Sequence, residues 1–371
     1  MKMAPSNDTV AARLDLITQR LPAQNISGLE LIEAALKAEG RNPRCFWATS
    51  PTGKPHIGYF IPILKFADFI EAGVDVVAGL LDVYSFLDNV NYPMEQVLQR
   101  MHYYKFVISA AIEAIGIPAS KVQFVQESTY VNTPEFTRDQ WRLCTIVPQQ
   151  AVKDAWDRSY NPDMLSPMFC PGMQSLAEEY LDIDFQFGGA DQAGIFGFSD
   201  RFMPQLGFKK RGHLMNPMLP NLLGGKMSSS HPPNTKIAFL DDAETVTKKI
   251  FGANTKVESA LTNGVMASLR DILIPISHLR ARIGITEGQK SFSGANSPDG
   301  TVFSVKVKSG EEHYSSYEEV EKSLFDGRIT VEEINTAVSG AFNQLLDTIR
   351  KKYEENEEWQ AVTKLAYPVD A

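Results

Sequence analysis

The sequence predicts an α/β fold, a parallel sheet with helices on both faces, carrying a helical insertion and followed by a smaller, mainly helical C-terminal region. Three observations predict it. Short apolar runs that read as buried strands alternate with helical stretches over residues 41–235. That alternation is interrupted between about Pro134 and Tyr180, where the pattern is mostly helical. Past about Asp241 the chain reads as helical again. With 371 residues, 43% of them hydrophobic and 22% charged, it is long enough for two domains with a sizeable core.

The elements follow in order. Residues near 8 to 39 read as an N-terminal helical segment, with apolar positions at Leu14, Ile17 and Leu21 and then at Leu29, Leu31, Ile32 and Leu36. CFWAT is a buried-type strand, and PTGKP breaks the chain after it. A helix is expected from about His56 to Ala72, with Gly73 as its stop signal. VDVVAGLLDV is the next strand, and a long helix after Pro93 passes through Met101 and Ile108 to Ile115. KVQFV is a short strand. DFQFGG is another, with a helix behind it to about Gln205, and HLMNPML is a strand leading into LLGGKMSSSHPPN. TVFSVKVKS alternates as a hairpin strand or an exposed ribbon would. From Val331 to Tyr353 an amphipathic helix places Ile334, Val338, Phe342, Leu345, Leu346 and Ile349 on one side. Three regions result: residues 1–40, the sheet domain 41–235, and 236–371.

Net charge is −9 and the pI near 5.3, so binding of nucleic acid needs a local basic patch. Cys45, Cys144 and Cys170 have no CxxC or ligand-like spacing and read as reduced thiols, and no metal site is expected. No apolar run reaches membrane-spanning length, and the first twenty residues contain no signal-like apolar stretch. A cytoplasmic protein is expected.

Two segments carry chemistry. PTGKPHIGYF lies between a strand and a helix, where ligands bind in open α/β sheets. Gly53 and Gly58 allow close backbone approach, Lys54 adds charge, and His56 sits where unpaired amides of a helix start attract phosphate. An ordinary strand-to-helix turn reads the same way, and GxxxxGK[ST] is absent. GGKMSSS offers a lysine, Lys226, whose ammonium meets charge developing on a leaving group, beside the donors Ser228, Ser229 and Ser230.

Together these segments resemble the signatures of class I aminoacyl-tRNA synthetases, and of the tyrosyl-tRNA synthetases of eukaryotic and archaeal type in particular. PHIGY is similar to the HIGH motif and GKMSSS to KMSKS, while GGADQ, HLMNPM and CPGMQ stand where that family has comparable segments. The resemblance implies a Rossmann-type doubly wound sheet and an anticodon-binding-like C-terminal domain. It implies condensation of an amino acid with ATP, accompanied by Mg²⁺ and not by a protein-held metal, with release of pyrophosphate and transfer to tRNA. The carboxylate attacks the α-phosphorus in line, so positioning and charge stabilisation supply the catalysis. By resemblance His56 contacts the phosphates, Gly58 lets the adenine lie against the helix, and Lys226 with Ser228 to Ser230 stabilises departing pyrophosphate. Asp191 binds the ribose, with Gly188 and Gly189 giving it room; Lys54 and Met215 complete the nucleotide set. Gln174 and Gln192 hold the α-amino group. A homodimer through the middle segment is also implied, though that segment is shortened here.

The amino-acid pocket departs from the family pattern. A tyrosine of the first strand and an aspartate of the YPxMQxxD helix clasp the phenolic hydroxyl in the family; Phe46 and Ala177 stand there in this chain. Ala177 is three residues past Gln174 and shares its helix face. Cys170 replaces the motif's tyrosine, LDVYSF places Leu81 and Tyr84, and Val131 replaces a glutamine. Phe46 and Ala177 cannot bond a hydroxyl; Tyr84 or Thr129 remain as replacement partners. The expected substrate set is Phe46, Ala48, Leu81, Tyr84, Thr129, Cys170, Gln174, Ala177 and Gln192. A site built to bond a substrate hydroxyl rejects the analogue lacking it by about 10⁴–10⁵, a figure known for a tyrosine enzyme of this kind.

The tRNA side is eroded too. PQQAVKDAWDRSYNPD is nearly charge-balanced, and ITVEEIN replaces a pattern bearing a lysine. Basic contacts elsewhere would come from Lys209 to Arg211, Lys248 and Lys249, or Arg350 to Lys352. Three functions stay open: a working tyrosyl-tRNA synthetase; a paralogue that activates a less polar or O-substituted amino acid, as a biosynthetic ligase or resistant spare copy; and a non-catalytic binding paralogue.

Overall fold

The computed structural model describes residues 9–88, 92–156, 164–225, 227–229, 231–253, 263–284, 292–294 and 296–368. The N-terminal segment is two helices, α1 (Val10–Thr18) and α2 (Leu29–Lys37), not one helical stretch. Between them the chain turns through Arg20 at φ 62° and Gly28 at φ 63°, and a two-residue strand β1 (Ile26–Ser27) intervenes. That strand has no apolar alternation of its own; it exists because it pairs with a distant partner.

The sheet contains β2 (Arg44–Thr49), β3 (Asp75–Leu80), β4 (Val122–Gln126), β5 (Phe185–Gly189) and β6 (Gly212–Asn216). The spatial order is β1-β6-β5-β2-β3-β4, parallel throughout except for β1 against β6. Central β2 places Cys45 opposite both Val76 and Phe185. Helix α3 (Phe60–Glu71) covers one face, with Phe60, Ile63 and Phe69 fully buried and Phe69 edge-on to Phe185 and Phe187. Burial of each such side chain contributes about 1.5–3 kcal/mol.

Two strands stop earlier than the apolar runs suggest. β3 ends at Leu80, because Asp82 opens the short helix α4 (Asp82–Leu87) and its carboxylate accepts from Ser128 N and Gln126 Nε2. β6 ends at Asn216, because Pro217 has no N–H for a ladder. The long helix is α5 (Met94–Ala114). After α6 (Ser128–Val131), the insertion is helical in its described part: α7 (Pro134–Ile146), α8 (Gln149–Ala155) and α9 (Cys170–Tyr180). Thr133 caps α7 from below a proline at its first turn. α10 (Ala193–Phe202) follows β5.

The remainder holds α11 (Ala243–Phe251), α12 (Gly264–Ser268) and α13 (Ile274–Arg282). TVFSVKVKS forms a hairpin strand, β7 (Phe303–Val307), paired with β8 (Gly310–Tyr314). α14 (Tyr317–Phe325), α15 (Val331–Glu354) and α16 (Glu357–Ala366) complete the chain. ITVEEIN has a local purpose: Thr330 and Glu333 form a reciprocal cap at the start of α15. The apolar face of α15 is buried from Ile334 to Ile349 as the period requires. α16 returns to the sheet domain, where Trp359 stacks on Phe106 of α5 at 5.6 Å.

Candidate active site

From β2 the chain crosses to β3 on one side, while β5 leads to β6 on the other. Connections leaving adjacent strands in opposite directions open a crevice beyond their carboxyl ends. A cavity of about 350 Å³ lies there, walled by Thr49, Thr52, Gly188 and Gly189 among others.

His56 and Gly58 reach this cavity, but the helix start is not the anion cradle its sequence suggests. Ile57 N donates to Ile237 O at 3.0 Å, Tyr59 N to His56 O at 3.0 Å, and Gly58 N to His56 Nδ1 at 3.1 Å. The amides at 57 to 59 are thus spent within the protein. Because Nδ1 accepts, the imidazole proton sits on Nε2, which is a donor. A side chain on residue 58 would press its Cβ to 2.8 Å from the imidazole, so glycine keeps that ring in place. Burial lowers the His56 pKa from 6.5 to about 3, with Lys236 and His231 adding to the effect. We expect the imidazole to remain neutral, by nitrogen NMR, as pH falls through 6.5 toward 3. Over that window the unfolded chain takes up the proton first, so folding stability declines as pH falls. A titration of this ring near 6.5 would contradict the assignment.

The glycine- and serine-rich loop is held from one side. Gly224 and Gly225 have φ of 105° and 86°, which only glycine adopts without strain, and Asn221 N donates to Gly225 O at 2.7 Å. Met227 is buried, and Ser228 and Ser229 line the cavity. Lys226 and Ser230 lie outside the described residues. A lysine the sequence reading passed over organises the loop. Lys236 is buried and its ammonium donates to Ser228 O at 3.1 Å, to His231 O at 2.8 Å and to Ser229 O. Burial, with Lys249 near by and Asp241 opposing, lowers its pKa to about 8. Bonds to a charged donor contribute about 1.5–3 kcal/mol each. Lys236→Met is therefore expected to slow any reaction that needs this loop by tenfold or more with the sheet intact; an unchanged rate would show that the loop holds itself.

Asp191 also faces the cavity. A Cβ at residue 189 would lie 2.5 Å from its Oδ1, which is why glycine precedes it. Two residues expected in the nucleotide set lie off the wall. The Lys54 ammonium stands 5.6 Å above the Tyr367 ring, and Met215 gives way to Asn216 and Met218, since successive strand residues face opposite ways.

At the other end Gln174, Gln192, Ala48, Leu81 and Tyr84 come together as expected. Gln174 Nε2 donates to Gln186 Oε1 at 2.8 Å and to Gln192 Oε1 at 3.1 Å, which uses both its protons and leaves its oxygen an acceptor for a cation. Gln186 was not anticipated; its signal is a polar residue in the buried strand DFQFGG. Asp88 and Trp156 also line this end, with Trp156 6.2 Å from Tyr84. Glu127 accepts from Tyr84 N at 2.6 Å and so fixes this wall; burial, with Asp82 near by, raises the Glu127 pKa to about 8.

Four of the expected substrate residues stand behind or beside the cavity. Phe46 is 1% exposed and Ala177 1%, both in one buried apolar cluster with Val77, and the Phe46 ring occupies the space beside Gly79. Cys170 is buried against Leu81 and Tyr84, which raises its thiol pKa. Thr129 is exposed on α6, off the cavity wall, with its hydroxyl donating to Gln126 O at 2.6 Å, so it is no replacement partner. Cys45, Cys144 and Cys170 are free thiols.

Residues 37–347 match the family described as tRNA synthetases class I (W and Y). The chain is 37% identical over 359 residues to the cytoplasmic tyrosine–tRNA ligase of Saccharomyces cerevisiae, covering 95% of this chain and 87% of that one. It is 36% identical over 359 residues to the cytoplasmic tyrosine–tRNA ligase of Gallus gallus, covering 96% of this chain and 63% of that relative's length. Among solved structures it is similar to the tyrosyl-tRNA synthetase of Archaeoglobus fulgidus complexed with L-tyrosine. There the TM-score is 0.76 at 25% identity, covering 93% of this chain and 99% of that one.

Proposed function

The chain belongs to the class I tRNA synthetases of the tryptophan and tyrosine group, and from that premise we propose how its cavity carries out tyrosyl-tRNA synthetase-type activation of an amino acid by ATP and charging of tRNA. One observation carries this: a single cavity is lined both by His56, Gly58, Asp191, Ser228 and Ser229 and by Gln174, Gln192, Leu81 and Tyr84. The first group suits a nucleotide and the second an amino acid. ATP lies with its ribose on Asp191 and its phosphates under His56 Nε2–H. Lys226, with Ser228 to Ser230, meets the charge of departing pyrophosphate. Gln174 and Gln192 orient the α-amino group, so the carboxylate approaches the α-phosphorus in line. Mg²⁺ enters with the nucleotide, which suits an ion that prefers phosphate oxygens and water, and Asp88 and Asp191 are carboxylates on the cavity wall.

Residues 41–235 act as the catalytic domain and 236–371 as the tRNA-facing one. Much of the basic surface is engaged internally: Arg211 with Glu179, Lys249 with Asp241, Lys352 with Glu113. Exposed Lys209, Lys210 and Lys248 are left to meet the tRNA backbone, so binding is weak and salt-sensitive. The homodimer forms through the insertion, where Met164 and Leu165 are exposed beside a groove lined by Leu143, Val147 and Met168. The protein works in the cytoplasm, as its relatives' names say of them; no described helix is long and apolar enough to cross a membrane. Nothing found supports a non-tRNA acceptor or a non-catalytic role. ATP–pyrophosphate exchange across the amino acids, followed by charging of tRNA with the best of them, tests the reading. Exchange with tyrosine and charging of its tRNA is the expected result; no exchange with any amino acid would overturn it.

A further inference from the structure

The loop between β2 and His56 is not held by the sheet domain alone. Two of its carbonyls are bonded by α5 and by the residue that follows α16. Tyr367, which follows α16, is buried, and its hydroxyl donates to Gly53 O at 3.0 Å across 314 residues of chain. Tyr104 of α5 donates to the same carbonyl at 2.7 Å. Arg100, one turn earlier on α5, joins both parts: one guanidinium nitrogen donates to Thr52 O, while Nε donates to Ala366 O at 3.1 Å. Its guanidinium lies 3.6 Å from the Tyr92 ring centre and 4.9 Å from that of Tyr367. Gln96 adds a second donor to Ala366 O at 3.1 Å. Thr52 itself borders the cavity.

A trans peptide points its N–H opposite to its C=O, and no described peptide bond is cis. Drawing the carbonyls of residues 52 and 53 toward α5 and Tyr367 therefore turns the N–H groups of Gly53 and Lys54 the other way. Tyr104 also reaches the signature loop, where its hydroxyl meets Ser229. We propose that Tyr367 and Arg100 are positioning residues for the nucleotide: through them the chain's last helix sets the backbone of residues 52–54 against the triphosphate. Neither residue touches the amino-acid end. The C-terminal region is on this account a structural part of the ATP site and not only a tRNA platform.

This rests on the assignment of ATP to the cavity, and the test separates the two. The full chain and its Tyr367→Phe variant are compared in pyrophosphate exchange and in calorimetric titration with ATP alone. The variant keeps the ring and its packing, and Gly53 O keeps Tyr104. One lost hydrogen bond is expected to raise KM and Kd for ATP about fivefold, with the amino-acid KM unchanged and Tm lower by about 4 °C at most. Arg100→Met is expected to raise both ATP constants more than tenfold and Arg100→Lys to restore part of the loss. An ATP Kd for Tyr367→Phe equal to wild type, or equal rises in the ATP and amino-acid KM, would overturn the proposal. Wild-type ATP binding without exchange would count against the activity while the Kd comparison still decides the clamp.

Discussion

Lys226→Ala is expected to lower adenylate formation by about 10²–10³-fold, the size seen when one pre-organised donor to developing charge is removed. Thermal stability and the Kd for the amino acid should stay at wild-type values. The surroundings explain both halves of that expectation. The loop's ends are anchored without this side chain, through Asn221 N on Gly225 O at 2.7 Å, the buried Met227 and the three carbonyls on Lys236. Those anchors remain when residue 226 is changed. A cation that meets charge only as pyrophosphate departs stabilises the transition state more than the ground state, so the change falls on kcat. Exchange at the wild-type rate in this variant would refute the role given to Lys226.

Phe46→Tyr combined with Ala177→Asp is expected to raise the preference for tyrosine over phenylalanine by about 10²-fold or more, toward the 10⁴–10⁵ that a tyrosine enzyme with such partners attains. Phe46 and Ala177 occupy one buried cluster, each 1% exposed, so neither offers a hydroxyl partner now. The two changes should couple. An aspartate introduced alone among apolar groups leaves a buried charge without a partner, at a cost of several kcal/mol. With a tyrosine hydroxyl introduced into the same cluster, that charge gains a donor. A double-mutant cycle on Tm should thus show the pair less destabilised than the sum of the singles. An unchanged tyrosine-to-phenylalanine ratio of kcat/KM would mean that these residues do not face the substrate.

Much of this was legible in the chain because it is local. Buried strands, the stop at Gly73, the α15 stripe and the two signature segments each depend on neighbours a few residues away. The amphipathic run from Ile334 to Ile349 is buried on the side its period requires. The places where the local reading failed were those where a distant atom settled the matter. The amides after His56 looked free to meet an anion, but Ile237 O, His56 O and the imidazole Nδ1 consume them and leave only Nε2–H. Thr129 looked available, but α6 holds it exposed and off the cavity wall.

What the sequence alone determined was the layered architecture, the location of the crevice and the residue types brought to it, since periodicity and turn chemistry act over one or two turns. The tertiary structure decided which polar groups have partners. β1 pairs with β6, Lys236 gathers three carbonyls, Gln186 joins Gln174, and Tyr367 reaches Gly53. A donor's partner has no signature along the chain: a buried polar group costs free energy until something bonds it, and only packing brings that something within 3 Å or so.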